Sequence, residues 1–283
     1  MIFRTTVPLR WGDLDAQGHI NNAAYADYLQ EARADYFDNT PIESLSGSGL
    51  VVVSHQVEYL APAYFRAEPL IVDLWPCQVS AAKFTLAYDL WQDGRQVARA
   101  RTVLCPYDLV GGQPRRFQAH ERAWLTSQVE AAEAFRPLRW RPMNSHARSA
   151  PMRVRWGDVD CYGHVNNVLY FNYIMEGRIA FTAAASHSMN ETLESGYLWF
   201  VVRQDVNYLT PLFFRIEPYT IRTGVAKIGS TSITFCSEIA DPTAHKRFAT
   251  ASTVAVFADA EGRPTEILPQ WREALQPYRL TAH

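Results

Sequence analysis

The pattern of apolar and polar positions near the start of the chain predicts a strand, a loop and a helix. Residues 2–11 are rich in apolar and β-branched side chains, which is typical of a strand. Two glycines interrupt residues 12–20, which we interpret as a loop. A helix is predicted to begin near Asn21 or Asn22, because asparagine is a favoured N-cap. Its apolar face carries Tyr25, Tyr28, Leu29, Ala32 and Tyr36.

The same pattern returns 145 residues later. Thirteen of the 24 positions in residues 10–33 are identical in residues 155–178. Ala32 and Gly177 are small at matching positions, which indicates that a sheet passes close to the helix there. Most of the identical positions are polar or glycine, so the repeat indicates a shared function as well as a shared fold. The second helix face carries Tyr170, Tyr173, Ile174, Gly177 and Phe181.

Alternating apolar positions after each helix predict the strands of a sheet. The first such strand has one face formed by Val53, His55, Val57 and Tyr59 in the first copy, and by Val202, Gln204, Val206 and Tyr208 in the second. Three more strands are predicted in each copy, at residues 70–79, 84–91 and 96–106 and at residues 219–228, 232–240 and 248–257. Because no helix separates them, the sheet is expected to be mostly antiparallel. The sequence thus predicts an α+β fold in which a long helix packs against a curved antiparallel sheet, twice.

The two copies predict two domains of ordinary size joined by an arginine- and proline-rich connection. We place the first domain at residues 1–134, the linker at residues 135–150 and the second domain at residues 151–283. The elements expected beside the sheets are loops at residues 41–49 and 186–196 and helices at residues 118–134 and 269–277.

Charge and cysteine content narrow the classes of function. The formal net charge is −2, so no bulk attraction to nucleic acid or to an anionic membrane is expected. The sequence contains no charged N-terminal region followed by a long apolar run, and no stretch of about 18 apolar residues, so neither a signal peptide nor a membrane span is predicted. The four cysteines are scattered and form no metal-binding spacing. We expect a cytoplasmic protein that uses no metal and no cofactor.

The repeated loop offers the chemistry of acyl transfer. Asp15 lies shortly before a predicted helix N-terminus, whose N–H groups and partial positive charge can polarise a carbonyl and stabilise an oxyanion. A carboxylate beside them can attack that carbonyl or act as a general base for water. A cysteine-like thiol, with a pKa of about 8.5, leaves readily as a thiolate. An ester or an amide would need more acid assistance, so a thioester is the expected substrate.

The pattern W-G-D-x-D-x-x-G-H-[IV]-N-N-x-x-Y-x-x-Y-x-x-E-x-R occurs in both copies. It resembles the 4-hydroxybenzoyl-CoA thioesterase-like branch of the hotdog-fold superfamily. It is also similar to the D-x-D-x-x-x-H-x-N-N loop of acyl-acyl carrier protein (acyl-ACP) thioesterases, which are tandem hotdog proteins. The resemblance covers essentially the whole chain, twice, including a Tyr-x-x-Pro turn in each copy. It implies two tandem hotdog domains packed as a pseudo-dimer, with two sites at their interface.

The resemblance assigns a catalytic carboxylate and an oxyanion-binding group to each copy. The family's catalytic carboxylate corresponds to Asp15 and Asp160. The backbone N–H that polarises the thioester carbonyl corresponds to Asn22 and Asn167. From the residues alone, each carboxylate could instead cap the helix or a turn.

A histidine of each loop also matches the acyl-ACP thioesterase branch. This histidine corresponds to His19 and His164, which we assign as catalytic. They could line the pocket or could lock the loop to the sheet. The asparagine of that branch aligns with Gln17 and Tyr162, which is a departure from its pattern.

Two further pairs of polar residues have predicted roles. His55 and Gln204 interrupt an apolar strand face, so we expect them to line the pocket and bind substrate. Asp13 and Asp158, the first aspartates of the loops, are expected to hold the loops in shape by accepting backbone N–H groups.

These observations predict an acyl-CoA thioesterase of fatty acid metabolism. The alternatives are an acyl-ACP thioesterase and a non-catalytic acyl-CoA-binding hotdog protein. A hydratase in the same fold is disfavoured, because the Asp-x-Asn-Pro-x-His loop expected for it does not occur in the sequence. A homodimer of double hotdogs is a further expectation from the family.

Overall fold

The structure is a computed structural model that describes residues 2–42, 49–108, 110–185, 196–243 and 246–281. The chain divides into two compact units, Met1–Arg136 and Pro137–His283. The loops predicted at residues 41–49 and 186–196 lie almost entirely outside the described residues.

The first unit consists of a long helix and an antiparallel sheet. Its main strands lie in the order β1-β3-β4-β5-β2, and every neighbouring pair is antiparallel. The chain thus runs from strand to helix to four consecutive strands, as predicted. The elements are β1 (Phe3–Val7), α1 (Ala24–Asp38), β2 (Leu50–Tyr59), β3 (Leu70–Val79), β4 (Phe84–Gln92), β5 (Arg95–Asp108), the short β6 (Gln113–Pro114) and α2 (Ala119–Ser127).

The second unit repeats this arrangement. Its strands lie in the equivalent order β7-β9-β10-β11-β8, again antiparallel throughout. The elements are β7 (Arg148–Met152), α3 (Leu169–Ala185), β8 (Leu198–Tyr208), β9 (Tyr219–Ile228), β10 (Ser232–Ala240), β11 (Arg247–Ala258) and α4 (Pro269–Leu275), with a 3₁₀ turn at Gln276–Tyr278.

The predicted apolar face of α1 packs on the sheet of the first unit. Tyr25 meets Tyr59 of β2 edge to face, with ring centroids 5.1 Å apart. Phe37 makes a similar contact with Phe84 of β4, at 6.2 Å. The five residues of the predicted face are all at most 2% exposed. Burial of this helix face therefore holds the layer of strands against α1.

The second unit shows why a small residue lies in the middle of each helix. A Cβ atom placed on Gly177 would lie 2.5 Å from Cδ1 of Ile221 on β9, closer than real carbon atoms approach. In the first unit, the matching residues are Ala32 and Val72. The alanine has one carbon more than Gly177, and the valine has one carbon fewer than Ile221. The expected close approach of sheet and helix is thus confirmed at Gly177.

Three predicted element boundaries are wrong. The strand expected over residues 2–11 forms only at Phe3–Val7, and α1 begins at Ala24 rather than near Asn21. The helix expected over residues 118–134 ends at Ser127.

Beyond α2, the chain lies across the sheet of the first unit as an extended segment. The N–H of Glu130 donates to the carbonyl of Pro76 at 3.0 Å, and Arg101 Nη2 donates to the carbonyl of Glu133 at 3.0 Å. These tertiary hydrogen bonds replace the helical ones that the sequence pattern had suggested.

The predicted linker is packed against the second unit rather than extended into solvent. Trp140 Nε1 donates to the carbonyl of Ser237 at 3.0 Å. The guanidinium of Arg222 donates to the carbonyl of Asn144 at 3.0 Å. The last residues of the predicted linker already belong to β7.

Candidate active site

The site loop of the first unit, residues 11–22, folds back on itself just before α1. Leu14 and Ile20 form a short antiparallel bridge. Inside it, the N–H of Asp15 donates to the carbonyl of His19 at 2.8 Å, and the N–H of Gly18 donates to the carbonyl of Asp15 at 3.0 Å. Gly18 has φ +76°, a conformation that side chains other than glycine rarely adopt. The turn therefore explains why aspartate and glycine are three residues apart.

The carboxylate of Asp15 is held by one of its two oxygens. Oδ1 accepts the N–H of Gln17 at 2.8 Å and the N–H of His19 at 3.2 Å. Oδ2 has no hydrogen-bond partner among the residues that the structure describes. The side chain is half-buried. One oxygen thus fixes the carboxylate in place, and the other can interact with water or substrate.

The site loop of the second unit, residues 156–167, has the same internal bonds. The N–H of Asp160 donates to the carbonyl of His164 at 2.9 Å, and Gly163, with φ +79°, donates to the carbonyl of Asp160 at 3.0 Å. Asp160 Oδ1 accepts the N–H of Tyr162 at 2.9 Å. The turn, and the hydrogen bond from the N–H two residues after the aspartate, therefore occur in both loops.

The two loop histidines differ in their neighbours. His164 Nδ1 lies 3.6 Å from Asp160 Oδ2. The ring of His19 instead packs edge-on against Tyr64, with centroids 5.1 Å apart. A histidine beside the carboxylate can orient a water molecule or share a proton with it. The second loop shows this proximity between His164 and Asp160.

The first aspartate of each loop ties the loop to its helix. Asp13 Oδ2 accepts the hydroxyl of Tyr28 at 2.7 Å, and Asp13 Oδ1 accepts Arg10 Nε at 3.1 Å. Asp158 Oδ2 accepts the hydroxyl of Tyr173 at 2.5 Å and the backbone N–H three residues before it at 2.7 Å. The predicted holding role is confirmed, but it includes a tyrosine of the helix, which we had expected only to fill the core.

The tyrosines of this contact remain protonated donors. Burial raises the pKa of Tyr28 and of Tyr173 well above the usual value, and the hydrogen bond to the loop aspartate raises it further. Burial also raises the pKa of Tyr25 and of Tyr170. The hydroxyls at the start of each helix are therefore fixed in the neutral form near neutral pH.

Asparagine links the loop to the helix N-terminus. The N–H of Asn21 donates to the carbonyl of Asp13 at 2.7 Å, and its Oδ1 accepts the N–H of Ala23 at 2.9 Å. The N–H of Ala24 donates back to the carbonyl of Asn21 at 3.0 Å. A turn capped by asparagine thus precedes α1, which explains why α1 begins later than predicted.

The next asparagine in each loop is anchored through its backbone carbonyl. The hydroxyl of Tyr59 donates to the carbonyl of Asn22 at 2.8 Å, and the hydroxyl of Tyr208 donates to the carbonyl of Asn167 at 2.8 Å. These bonds hold the peptide groups at the helix N-terminus against β2 and β8. The sequence reasoning missed this role, although each tyrosine begins the repeated Tyr-x-x-Pro turn.

The two predicted pocket residues lie deep inside the units. His55 is 0% exposed, and its Nδ1 lies 2.9 Å from Oγ1 of Thr102, its partner across β2 and β5. Gln204 is 1% exposed and is paired across β8 and β11 with Thr253. Each therefore forms part of a buried polar pair on a sheet, and contact with substrate stays a prediction.

The described residues contain neither a cluster of metal-binding side chains nor a helix that could span a membrane. In residues 2–42, 49–108, 110–185, 196–243 and 246–281, no group of three or more histidine, cysteine, aspartate or glutamate side chains is placed to hold a metal ion. Within the same ranges, no helix has the length and apolar character needed to cross a membrane.

The fold and the doubled loop agree with a known family. A model of the thioesterase-like superfamily matches residues 9–125 and 154–275, so it covers both units. The chain belongs to this superfamily. Among characterised relatives, the chloroplastic acyl-acyl carrier protein thioesterase ATL2 of Arabidopsis thaliana is 26% identical over 157 residues, 53% of this chain and 83% of the relative.

Solved structures show the same tandem architecture. An oleoyl thioesterase from Lactobacillus plantarum has a TM-score of 0.71 at 14% identity and covers 90% of this chain and 96% of its own. The 12:0-ACP thioesterase from Umbellularia californica has a TM-score of 0.69 at 14% identity, with coverage of 90% and 96%. At this identity the similarity concerns the fold, which is the hotdog-type arrangement of the thioesterases.

Proposed function

We propose that the protein is a thioester hydrolase that converts an acyl thioester into a free acid and a thiol. Membership of the thioesterase-like superfamily supports this assignment. The observation that carries it is the geometry of Asp15, where Oδ1 accepts two loop N–H groups while Oδ2 has no partner among the described residues. The same loop, with its carboxylate, occurs again at Asp160.

In the proposed reaction, Asp15 and Asp160 supply the carboxylates. Each either removes a proton from the attacking water or attacks the thioester carbon itself, in which case water then hydrolyses the resulting anhydride. The N-terminal peptide groups at Asn22 and Asn167 polarise the carbonyl and stabilise the developing oxyanion. The thiolate leaves when the tetrahedral intermediate collapses, to the free acid in the first route and to the anhydride, before its hydrolysis, in the second, and it takes up a proton.

We assign supporting roles to the remaining candidate residues. His19 and His164 position the water and the carboxylate, and the proximity of His164 to Asp160 supports this role in the second loop. His55 and Gln204 provide polar contacts to bound substrate from the strands. We propose that no metal ion or cofactor takes part in this mechanism.

For the carrier of the acyl group, we propose coenzyme A, with acyl carrier protein as the second candidate. The second candidate is favoured by the curated relatives, which are named as acyl-acyl carrier protein thioesterases. A purely binding role is less well supported, because both loops keep their carboxylate. The pseudo-dimer arrangement of the units, a homodimer and a cytoplasmic location stay predictions.

The test is thiol release by the purified protein from matched substrates. Each acyl group is presented once on coenzyme A and once on acyl carrier protein, over short, long and aromatic acyl groups. The proposal predicts thiol release in step with free acid, and the ratio of kcat/KM values identifies the carrier. Thiol release from the carrier-protein substrates alone would overturn coenzyme A as the carrier of the acyl group. If the folded protein releases no thiol from any substrate, the hydrolase assignment is overturned.

A further inference from the structure

The first unit contains a buried positive charge that has no counter-ion among the residues that the structure describes. Arg33, on α1, is 7% exposed. Its hydrogen bond runs from Nη1 to the carbonyl of Leu29, one turn back in the same helix, at 3.5 Å, which is long for such a bond. No carboxylate among the described residues lies within ion-pair distance of it. Buried charges in proteins are normally paired, so this guanidinium is suited to an anion that comes from outside the chain.

Two buried hydroxyls without partners lie in the same interior. Tyr36 is 2% exposed and Tyr88 is 0% exposed, and neither hydroxyl has a hydrogen-bond partner among the described residues. Tyr88 is four residues from Phe84 on β4, so it shares the face that packs on α1. Burial raises the pKa of Tyr36, and the proximity of Tyr88 raises it further. The hydroxyl of Tyr36 is therefore a neutral donor at neutral pH.

Tyr36 is a neighbour of Arg33 along the helix and of Tyr88 across the interior. Arg33 and Tyr36 are three residues apart on α1, a spacing that places their Cβ atoms about 5–6 Å apart. Tyr88 lies close enough to Tyr36 to contribute to the raised pKa of Tyr36. Among the described residues, the interior of the first unit thus combines a guanidinium without a carboxylate partner and two hydroxyls without hydrogen-bond partners, a set of donors that can bind a carboxylate.

The second unit does not repeat this set. The residue matching Tyr36 is Phe181, which has no hydroxyl. The residue matching Tyr88 is Ser237, whose Oγ lies 3.0 Å from Oγ1 of Thr223. Arg178, the repeat of Arg33, is half-buried and has a partner. The donors without partners therefore belong to the first unit and are no general requirement of the fold.

We propose that the first unit accepts acyl groups that carry a second carboxylate, with Arg33 as its counter-ion and Tyr36 and Tyr88 as hydrogen-bond donors. The inference rests on the proposed thioester hydrolysis and names its substrate class, the monothioesters of dicarboxylic acids. A phosphate of coenzyme A is a poorer occupant, because the carrier of the acyl group stays at the surface whereas Arg33 is buried.

The position of Arg33 on α1 sets a length for the acyl group. It lies nine residues beyond Ala24, the first residue of the helix, which corresponds to about 14 Å along the axis. An extended chain advances about 1.2 Å per bond, so about a dozen bonds reach from the helix start to the guanidinium. Acyl groups of roughly ten to twelve carbons are therefore the expected size.

The test measures binding and turnover of two acyl groups that differ only in the far carboxylate. Calorimetry compares decanedioate with decanoate on the full-length protein, and kcat/KM compares their monothioesters with coenzyme A. We expect the wild-type protein to prefer the dicarboxylic member in both. Arg33→Met should reduce that preference roughly ten- to a hundredfold, and Tyr88→Phe should reduce it by a smaller factor. The matched control, Arg178→Met, should keep it.

Each outcome decides the inference. Equal binding of the two acids by wild-type protein, or the same loss in Arg33→Met and Arg178→Met, would overturn it. If Arg33→Met does not fold, Arg33→Lys and Tyr88→Phe give the same comparison with smaller changes. Because binding needs no turnover, preference for decanedioate through Arg33 in a protein that hydrolyses nothing would contradict only the proposed hydrolysis.

Discussion

The hydroxyl of Tyr28 donates a 2.7 Å hydrogen bond to Oδ2 of Asp13, and it thereby joins the second turn of α1 to the site loop. The same contact recurs at 2.5 Å between Tyr173 and Asp158. The candidate catalytic residues, Asp15 and Asp160, each lie two residues after the aspartate of this contact. The position of each catalytic carboxylate relative to the helix N-terminus therefore depends on the hydrogen bond between the tyrosine and the first loop aspartate, neither of which takes part in the reaction.

We predict that Tyr28→Phe lowers both stability and the activity of the first site. The loss of one hydrogen bond to a charged acceptor should cost about 2 kcal/mol in the free energy of unfolding. Activity is measured in an Asp160→Asn background, so that the first site alone contributes, and kcat should fall several-fold because Asp15 loses its fixed position. Tyr173→Phe in the same background is the control and should leave kcat near that of the background. Equal effects of the two changes would contradict a local role.

Gly177→Ala should destabilise the second unit. The added Cβ would overlap Cδ1 of Ile221 at 2.5 Å, and overpacking of this kind costs about 1–3 kcal/mol. Adding Ile221→Val copies the pair Ala32 and Val72 of the first unit and removes the closest atom, so it should restore part of the loss, while Cγ1 at 2.8 Å still has to shift. Urea unfolding of the single and double variants measures the coupling. Additive effects would show that the two residues do not meet as described.

At pH values where Glu121 is ionised, its negative charge should contribute to the free energy of unfolding. Burial alone would raise the pKa of this carboxyl group, but hydrogen bonds from Arg115 and from the N–H of Gln118 outweigh burial and lower the pKa. A lowered pKa in the folded state means that the stabilisation is present above the usual value of 4.5 and is lost as the pH falls through the folded pKa.

The variant Glu121→Gln tests this pH dependence. Its side chain is uncharged at every pH, so the free energy of unfolding at pH 7 should fall by about 2 kcal/mol. The difference from wild type should shrink as the pH drops below 4.5. Denaturant unfolding at several pH values measures it. A difference that stays constant down to the acid transition would show that the charge of Glu121 contributes nothing.

The two loop histidines should contribute unequally to kcat. His164 lies beside Asp160, whereas the ring of His19 packs on Tyr64. With each site assayed alone, through Asp15→Asn or Asp160→Asn, His164→Ala should reduce kcat more than His19→Ala does. Intact far-ultraviolet circular dichroism confirms folding of each variant. A larger effect at His19 would reverse the assignment.

The sequence predicted the order of elements because periodicity and the repeat are local signals. The alternation around Val57 and the spacing of Tyr25, Leu29 and Ala32 identify faces that are buried in the structure. The positions of helix ends depend on single side chains. Asn21 uses its carboxamide to cap a turn, and the helix therefore begins only at Ala24.

Long-range contacts account for what the sequence could not show. Residues after Ser127 have a helix-compatible composition, but hydrogen bonds from Glu130 to Pro76 and from Arg101 to Glu133 hold them extended. Similarly, the spacing of Tyr28 indicates a buried ring and does not reveal that its hydroxyl meets Asp13. The loop carboxylates were identifiable because the whole motif occurs twice.

The most direct test of the account is thiol release by the wild-type protein and by Asp15→Asn, Asp160→Asn and the double variant. Asparagine retains the oxygen that accepts the loop N–H groups, so each loop keeps its turn while its charge is removed. We predict partial activity in each single variant and a loss of at least about a hundredfold in the folded double variant. A folded double variant that retains wild-type turnover would contradict the catalytic role of these carboxylates.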